Sequence, residues 1–509
     1  MEKTYLLGID IGTYESKGVL VDSEGNLITS AFQPHDLLIP RQGWAEHDPE
    51  KTWWGDFVLL TKTLLAKSQI SSKDIAGIGV SAIAPCMLPV DQQGNPLRMG
   101  VLYGVDTRAY REIDELNARF GKENLFAKTG NELSSQAVGP KILWLKKNEP
   151  EIYHKAAKFT TASSFIISRL TGKMVIDHLT ASFFTPLYDF YKGTWSNEFC
   201  EGIVEPERLP EIGWACEKAG TVTAEAARIT GLAEGTPVNF GTADASAEAV
   251  SVGVVKPGQM MLMYGSTIFM YLVTSTPKVD SRLWAARYLF PGTSAFAAGT
   301  ATSGSLTRWF RDKLSPDLVA AEKSGGENAY TALIHEAENI SAGSEGLVVL
   351  PYFSGERTPI NDPLARGMFF GLTLAHQRGH LFKAVLEGMG YGVRQHFDVM
   401  DEISVKPDDV IAVGGGTKNP LWLQVVSDIS GIPQRVPAVT FGASFGDAFL
   451  AGMAVGVHSS YNQITSWIKY DRLVKPDPMK HDLYSKYYQI YLDLYQKNKD
   501  LMSELHSLI

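Results

Sequence analysis

Cysteine is scarce in this chain, and long apolar runs and an excess of basic residues are absent from it. The three cysteines are widely spaced with no CxxC pair, which excludes a disulfide framework or zinc ribbon and suits a reducing compartment. A formal net charge of −9 without a dense Lys/Arg stripe excludes general nucleic-acid binding. No apolar run approaches the roughly 18 residues of a membrane span, and we see no signal-peptide pattern. We therefore expect a cytoplasmic protein that binds neither membrane nor nucleic acid.

The length predicts more than one domain. A chain of 509 residues exceeds what one compact core accommodates, while the 44% hydrophobic and 20% charged fractions are ordinary for a globular protein. Because a strand–turn–strand pattern recurs in the second half, we divide the chain near residue 250, into domains 1–250 and 251–509. Other predicted elements are helices at 49–68 and 481–509 and a buried strand at 75–82.

The first residues of the chain predict a β-hairpin with a carboxylate at the end of its first strand. An apolar run ends at Asp10, turns through Gly12 and Thr13, and resumes as a second apolar run. Glycine permits a turn that a Cβ would crowd, so backbone N–H groups and the Thr13 hydroxyl can face a phosphate. Asp10 can hold a metal that the phosphate also binds. The predicted strands here are 4–10, 16–22 and 26–33.

A related hairpin begins the second half of the chain. Residues 259–264 and 268–273 read as paired strands around a turn of Gly265, Ser266 and Thr267. Two distant hairpins with small hydroxylated residues in their turns indicate two related domains that serve one nucleotide.

Asp244 stands between a strand-like run, residues 236–241, and a helix of small residues, 245–250. An Asp in this position either caps the helix or acts as a general base that takes a proton from a substrate hydroxyl. Its place just before the second phosphate-type turn favours the general base.

Three consecutive glycines, Gly414, Gly415 and Gly416, separate a buried strand at 410–413 from a helix at 421–430. They form a plain tight turn, or they let the backbone approach a flat or charged ligand. A dinucleotide fold would need a third glycine where Asn419 stands, so we reject that fold.

Two segments offer candidate sugar contacts. Trp44, in the polar loop 42–49, either stacks on a sugar ring or packs against the next helix, and the alternatives are even. Asp106 and Arg108 follow a predicted strand, where they hold sugar hydroxyls or form a surface ion pair.

Taken in order, these motifs resemble those of the FGGY carbohydrate kinases over essentially the whole chain. The loop Gly43–Pro49, the run Gly355–Pro359 and the Gly367–Glu387 pattern, which resembles the family signature, add to the likeness. The xylulokinase-like members look most similar, through Leu350–Pro359 and Gly414–Gly431. The resemblance implies an α/β protein of two actin-like, RNase H-like (hexokinase-type) domains with a central cleft.

Carried over residue by residue, the resemblance assigns roles. Asp244 matches the catalytic base, Asp10 the carboxylate near Mg²⁺, and Asp106 a sugar-binding Asp. The residues it implies for ATP are Gly12, Thr13, Lys17, Gly265, Ser266, Thr267, Gly414, Gly415, Gly416 and Asn419. The candidate sugar-binding residues are Trp44, Ala84, Pro85, Asp106 and Arg108. Domain 1–250 is expected to bind the sugar and domain 251–509 to bind ATP.

The expected activity is phosphorylation of a sugar hydroxyl with ATP and Mg²⁺, and the expected partner is a small-molecule sugar. A second copy, in a homodimer, is left open. The alternatives are an FGGY kinase for another ketose, polyol or sugar acid, an actin-like ATPase without a hydroxyl-binding base, and an inactive sugar sensor. A sensor should have lost Asp10 or Asp244, and both are present.

One departure from the xylulokinase pattern bears on the substrate. Those kinases carry Gln-Met-His after the strand equivalent to 75–82, and this chain has Ile83, Ala84 and Pro85 there. A substrate hydroxyl at that end would be left underpaired. We therefore expect D-xylulose to be a poor or secondary substrate.

Overall fold

A computed structural model describes residues 4–508 and divides the chain into two compact units. The first unit comprises the residues up to Pro257, Val273–Ala295 and Val439–Lys469, and the second comprises Gly258–Leu272, Phe296–Ala438 and the residues from Tyr470 onward. Within the range 4–508, none of the helices has the length and apolar character needed to cross a membrane.

The strands, in chain order, are β1 (Tyr5–Ile11), β2 (Glu15–Asp22), β3 (Leu27–Pro34), β4 (Glu46–His47), β5 (Ile75–Ala82), β6 (Leu88–Val90), β7 (Gly100–Val101), β8 (Lys158–Thr160), β9 (Val175–Asp177), β10 (Tyr188–Asp189), β11 (Thr194–Trp195), β12 (Glu211–Gly213), β13 (Lys218–Thr221), β14 (Pro237–Asn239), β15 (Thr242–Ala243), β16 (Gln259–Tyr264), β17 (Ile268–Thr274), β18 (Trp284–Arg287), β19 (Ser294–Gly299), β20 (Val348–Leu350), β21 (Met368–Phe370), β22 (Asp409–Val413), β23 (Gln434–Pro437) and β24 (Tyr470–Val474).

The α-helices are α1 (Gly55–Ser68), α2 (Tyr110–Phe120), α3 (Lys122–Thr129), α4 (Val138–Asn148), α5 (Pro150–Lys155), α6 (Ala162–Thr171), α7 (His178–Ser182), α8 (Asn197–Cys200), α9 (Ala224–Thr230), α10 (Asp244–Ser251), α11 (Gly304–Trp309), α12 (Pro316–Lys323), α13 (Ala329–Glu338), α14 (Arg378–Glu402), α15 (Pro420–Ser430), α16 (Ala443–Ala454) and α17 (Pro478–Ser507).

The central sheet of the first unit has the strand order β13-β14-β5-β1-β2-β3, with β15 also paired to β5. Strands β1, β2 and β3 form an antiparallel meander, and β5 joins β1 in parallel. Alternating burial is absent from β1 and β5, which are apolar on both faces because helices cover both sides of the sheet.

The sheet of the second unit repeats this plan. Its seven strands follow the order β18-β19-β17-β16-β22-β23-β24, with β16 antiparallel to β17 and parallel to β22, and β22 parallel to β23. Five strands of each sheet therefore correspond in order, β3-β2-β1-β5-β14 in the first and β19-β17-β16-β22-β23 in the second. The expectation of two related α/β domains, drawn from the repeated hairpin, is confirmed at the level of strand order.

Most predicted elements are confirmed. The strand predicted at 75–82 is β5, and the helix predicted at 49–68 is a π-helical stretch, Pro49–Trp54, that continues as α1. The C-terminal helix runs over Pro478–Ser507, and Ile509 lies outside the described residues. The division of function at residue 250 stays a prediction.

Candidate active site

The hairpin β1–β2 places Asp10 near the end of a buried strand. The side chain is only 7% exposed and faces Lys17 across the strand pair. The N–H of Gly12 donates to the carbonyl of Glu15 at 3.1 Å and closes the turn. A Cβ at Gly12 would lie 2.6 Å from that carbonyl oxygen, so the turn needs glycine.

Helix α16 packs on this sheet with its backbone in direct contact with the strands. A Cβ at Gly8 would lie 1.9 Å from the Ser444 carbonyl oxygen, and one at Gly79 would lie 1.9 Å from the Asp447 carbonyl oxygen. The two strand glycines therefore let the helix approach, and this approach delivers the Asp447 side chain to the strand end that carries Asp10.

Ser81, on β5, joins the two carboxyl groups. Its hydroxyl oxygen lies 2.9 Å from Asp10 Oδ1 and 2.7 Å from Asp447 Oδ2. Asp447 is fully buried, and its Oδ1 has no hydrogen-bond partner among the described residues. Our sequence reasoning missed Asp447. The available signal was that it is the one charged residue of α16, which is otherwise made of small and apolar residues.

These carboxyl groups hold their protons more tightly than usual. Burial, followed by the nearby charges of Asp244 and Glu248, raises the pKa of Asp10 well above its ordinary value, against the Ser81 hydrogen bond. Burial and then Asp10 likewise raise the pKa of Asp447. The first unit thus concentrates acidic groups at one end of its sheet, where a bound cation would favour their ionised forms.

Asp244 is the first residue of α10 and is partly exposed. Ala243 occupies the N-cap position, and the Asp244 side chain caps no helical N–H beyond that of its neighbour Ala245, which donates to Oδ1 at 2.7 Å. Burial, and to a smaller extent the charge of Glu248, raises the pKa of Asp244 to about 7. A carboxyl group with this pKa can accept a proton near neutral pH.

The charge of Lys17 acts against the increase in pKa of two of these acids, Asp10 and Glu248. Its Nζ lies 3.0 Å from Glu15 Oε1, and the side chain is about half exposed. Although burial lowers its pKa, the hydrogen bond to Glu15 and the charges of Asp10 and Glu248 produce a net increase. Lys17 is thereby kept charged at the edge of the acidic region.

The donor chemistry near Asp10 suits a hard cation, because the groups present are carboxylate and hydroxyl oxygens. In residues 4–508 no three His, Cys, Asp or Glu side chains are placed to hold a metal ion together. A magnesium ion does not require three, since it usually keeps several waters and uses one or two carboxylates plus substrate phosphates.

The candidate sugar residues Asp106 and Arg108 are paired with each other. Arg108 Nη2 lies 2.7 Å from Asp106 Oδ2, and both side chains are buried rather than at the surface, so the alternative of a surface ion pair is wrong. Arg108 also bonds Glu46, and its guanidinium lies 3.9 Å from the centre of the Trp44 ring. Trp44 packs edge-on against Trp144. Sugar binding by these three residues stays a prediction.

Ile83, Ala84 and Pro85 follow β5 as expected. Ile83 and Pro85 are buried, Ala84 is partly exposed, and none of them offers a side-chain hydrogen bond. A polar side chain that sequence analysis did not consider is Tyr103, whose hydroxyl lies 3.2 Å from Thr13 Oγ1. The charge of Asp244 contributes to the raised pKa of Tyr103, after burial, which places the two groups in the same neighbourhood.

In the second unit, the hairpin β16–β17 turns through Gly265, Ser266 and Thr267. The N–H groups of Ser303 and Ser305 donate to the carbonyl of Ser266, both at 3.0 Å, and that of Gly304 donates to Gly265 at 3.0 Å. A Cβ at Gly304 would lie 2.4 Å from the Gly265 carbonyl oxygen. The start of α11 therefore supports this turn through backbone groups.

A cavity of about 500 Å³ lies beside this turn, within the second unit. The glycine-rich turn after β22 forms one wall, where Gly416 fits against the ring of Trp422 and the Cβ of Tyr264. The cavity is lined by Tyr264, Gly265, Ser266, Gly304, Thr307, Arg308, Asn328, Tyr330, Thr331, Ile334, Gly415, Gly416, Lys418, Asn419 and Trp422. Its size and its mixture of aromatic, polar and basic side chains suit a nucleotide.

The structure brings five of the predicted ATP-binding residues to this cavity: Gly265, Ser266, Gly415, Gly416 and Asn419. Thr267 and Gly414 do not line it. Asn419 also caps α15, since its Oδ1 accepts the N–H of Trp422 at 3.0 Å.

Sequence reasoning missed the aromatic and basic lining of the cavity. The side chains concerned are spread over α11, α13 and α15, and no local pattern joins them. They are Arg308, Tyr330 and Trp422.

Comparison with known proteins finds carbohydrate kinases that match nearly the full length of this chain. Residues 5–251 match the model for the N-terminal domain of the FGGY family of carbohydrate kinases, and residues 260–455 match the model for its C-terminal domain. The xylulose kinase of Lactococcus lactis is 30% identical over 99% of this chain and 98% of its own length. The ribulokinase of Geobacillus thermodenitrificans is 28% identical over 97% and 94%.

Among solved structures, the xylulose kinase of Rhodospirillum rubrum superposes with a TM-score of 0.90 at 31% identity, covering 98% of this chain and all of that one. The two α/β units are thus of the actin-like, RNase H-like type expected from the motifs, and the protein is an ATP-dependent sugar kinase. The chain belongs to the FGGY family of carbohydrate kinases.

Proposed function

We propose that Asp244 is the general base that takes the proton from the acceptor hydroxyl of the sugar. The observation that best supports this proposal concerns the Asp244 carboxyl group. It is partly exposed at the start of α10, and its pKa is raised to about 7. The Ala245 N–H donates to Oδ1 at 2.7 Å and orients the carboxyl group, and the proposal assigns Oδ2 to the substrate hydroxyl. General-base catalysis is most effective when the pKa lies near the working pH.

The sugar binds to the first unit in this proposal, and the adenosine part of ATP binds in the cavity of the second. Asp10 would hold Mg²⁺, and the Ser81 hydroxyl would link Asp10 to Asp447. When bound, the ion supplies positive charge to the phosphates of ATP. Phosphoryl transfer passes through a loose, anionic transition state, so the protein acts mainly by positioning and by electrostatic stabilisation. In the first turn, Thr13 offers its N–H and its hydroxyl as donors for that charge, while Gly12 permits the turn itself.

The acceptor is a ketose, polyol or sugar acid, and D-xylulose is not the best of them. The relatives include kinases named for xylulose and for ribulose at comparable identity, so overall similarity does not select a sugar. The apolar side chains of Ile83, Ala84 and Pro85 favour a substrate with fewer hydroxyls at that end, or one whose polar group is met elsewhere. We place the protein in the cytoplasm, where its three free cysteines stay reduced.

The test is ADP release by the purified protein with Mg²⁺-ATP and a panel of ketoses, polyols and sugar acids, beside the Asp244→Asn variant. We expect sugar-dependent turnover that the variant loses while it still binds an ATP analogue. Turnover by the variant at more than half the wild-type rate would refute the assignment of Asp244. Absence of sugar-dependent turnover across the whole panel would refute the proposed substrate class.

A further inference from the structure

Two histidines form hydrogen bonds to backbone carbonyl groups in the turn of the first hairpin. His47, in the Gly-Trp-x-Glu-x-Asp-Pro loop, has its Nε2 3.1 Å from the carbonyl oxygen of Thr13. His35, just after β3, has its Nε2 3.0 Å from the carbonyl oxygen of Gly12. A carbonyl oxygen only accepts, so both imidazoles donate through Nε2. Neither histidine has a role in the function proposed above.

The tautomer of His47 is determined by Trp53. The indole Nε1 of Trp53 lies 3.2 Å from His47 Nδ1, and both residues are fully buried. Because an indole N–H can only donate, Nδ1 of His47 must accept, which leaves the proton on Nε2. Burial, and then the neighbouring His35, lowers the pKa of His47 to about 4, so the ring is neutral at working pH.

His35 is oriented by a carboxylate. Its Nδ1 lies 2.8 Å from Asp56 Oδ2 on α1, and the Ser16 hydroxyl donates to the same oxygen at 2.7 Å. The His35 ring therefore has acceptors at both nitrogens, Asp56 on one side and Gly12 on the other. The two rings meet edge-on with centroids 5.1 Å apart.

The hydrogen bonds from the histidines to these carbonyl groups also fix the direction of N–H groups in the turn. In a trans peptide the N–H points opposite to the C=O of the same plane. With the carbonyls of Gly12 and Thr13 directed to the histidines, the N–H groups of Thr13 and Tyr14 point away from them. Neither N–H has an acceptor among residues 4–508, and Tyr14 is 64% exposed. Adjacent unpaired N–H groups of this kind form an anion-binding concavity.

We propose that His47 with Trp53, and His35 with Asp56, are positioning residues that aim the N–H groups of Thr13 and Tyr14 at the terminal phosphate of ATP. This inference rests on the proposed function, in which the first turn receives that phosphate. The Gly43–Pro49 motif thereby gains a role that Trp44 does not explain. Its histidine supports the turn on which phosphoryl transfer depends.

The experiment compares His47→Leu, which removes the donor, with His47→Gln, whose amide still offers an N–H to Thr13. We expect kcat to fall about 10- to 100-fold in His47→Leu, the range for a reacting group displaced by a fraction of an ångström to 1 Å. The KM for the sugar should stay within about twofold, and His47→Gln should keep kcat within about threefold of wild type.

A binding readout separates positioning from general damage to the fold. Isothermal titration with AMP-PNP and with AMP should show that His47→Leu weakens the analogue with a terminal phosphate and leaves AMP unchanged. A merely structural role would lower the unfolding midpoint and the affinity for both nucleotides, without rescue by glutamine, and would overturn the proposal. Should His47→Leu fail to fold, the Trp53→Phe variant provides the test, since it removes the N–H that sets the tautomer and leaves His47 in place.

For Trp53→Phe we expect the same selective loss of AMP-PNP affinity, and equal affinity to wild type overturns the proposal. The two proposals fail in distinguishable ways. If the wild-type protein has no sugar-dependent turnover, the proposed function fails. If the wild type is active and the variants that fold match it in kcat and in AMP-PNP binding, only the positioning role fails.

Discussion

In both units the first two strands of the sheet form a hairpin whose turn contains small hydroxylated residues. The last paired residues are Ile11 and Ser16 in the first hairpin, and Tyr264 and Ile268 in the second. Counted back from the turn, the strand position that holds Asp10 in the first unit holds Met263 in the second. The same backbone plan thus carries a carboxylate in one unit and an apolar side chain in the other.

The supports of the two turns differ as well. Side chains of three distant residues, His35, His47 and Tyr103, hold the first turn, whereas the second is held by one local segment, the backbone N–H groups of residues 303–305 together with the hydroxyls of Ser303 and Ser305. The first hairpin has acids as neighbours, and the second has a cavity with aromatic walls. The comparison teaches that a repeated hairpin acquires its surroundings from what packs on it, and the proposed function assigns proton and metal chemistry to the first unit and nucleotide binding to the second.

The sharpest test of that division is Asp244→Asn. We expect kcat to fall by about 10²–10⁴-fold, the range for losing a general base, because the amide cannot take a proton. ATP binding should be near normal, since the cavity proposed for the nucleotide lies in the second unit. Glu248→Gln is the matched control on the same helix and should have the smaller effect. Steady-state kinetics and calorimetry measure both quantities, and a loss of ATP affinity equal to the loss of kcat would contradict the division.

The two corresponding strand positions can be compared directly with Asp10→Ala and Met263→Ala. Losing Asp10 should lower turnover by about 10²-fold and raise the Mg²⁺ concentration needed for half-maximal rate, since metal binding supplies several kcal/mol of charge stabilisation. Met263→Ala removes no charge and should keep turnover within about threefold, because only local packing changes. Magnesium titrations of both variants decide the matter. Unchanged turnover and unchanged Mg²⁺ dependence in Asp10→Ala would make Asp10 a structural residue.

The decrease of kcat/KM at acidic pH tests the environment of Asp244, the proposed general base. Burial raises the pKa of Asp244 to about 7, and the base must be ionised, so kcat/KM should fall as pH drops below 7, by about tenfold at pH 6. The charge of Glu248 contributes to the increase, so Glu248→Gln should move this decrease to lower pH. A profile that is flat from pH 5 to 8 would contradict the role of Asp244.

The second unit is tested at its glycine-rich turn. A Cβ at Gly416 would lie 2.6 Å from the Trp422 ring and 2.8 Å from Tyr264, so Gly416→Ala displaces the cavity wall. Overpacking costs about 1–3 kcal/mol, which predicts a KM for ATP raised about tenfold with kcat nearly unchanged. Gly415→Ala is the control for stability, because its Cβ would meet no protein atom within 4 Å and the melting temperature should not change. Normal ATP affinity in Gly416→Ala would place the nucleotide elsewhere.

The smallest effect concerns the sugar. Wild-type enzyme should use D-xylulose less well than the best sugar of the panel, and Ile83→Gln combined with Pro85→His should raise kcat/KM for D-xylulose. One or two added hydrogen bonds, at about 0.5–1.5 kcal/mol each, predict an increase of about 2- to 10-fold. Competition assays with paired sugars measure the ratio. D-xylulose as the preferred substrate of the wild type would refute this prediction.

Local patterns predicted the hairpins and the helix starts well. Glycine turns, apolar runs and alternating elements are short-range signals, so β5, β16 and α15 appear where the sequence analysis places them. Asp10 and Asp244 were identified because each lies at the end of a strand, before a turn or a helix. The cavity residues of α11 and α13 were not identified, since nothing in their own segments indicates what faces them.

The sequence by itself therefore determined the two related units, the family, and the acids at the strand ends, because these depend on residues within a few positions of one another. Only the tertiary structure decided that Asp447 joins Asp10 through Ser81, since glycines on two strands let a helix from residues 443–454 approach. It also decided that Arg108 covers Trp44 and that two histidines hold the first turn. Such contacts join segments distant in sequence, and the free energy that selects them comes from packing the whole core rather than from any local preference.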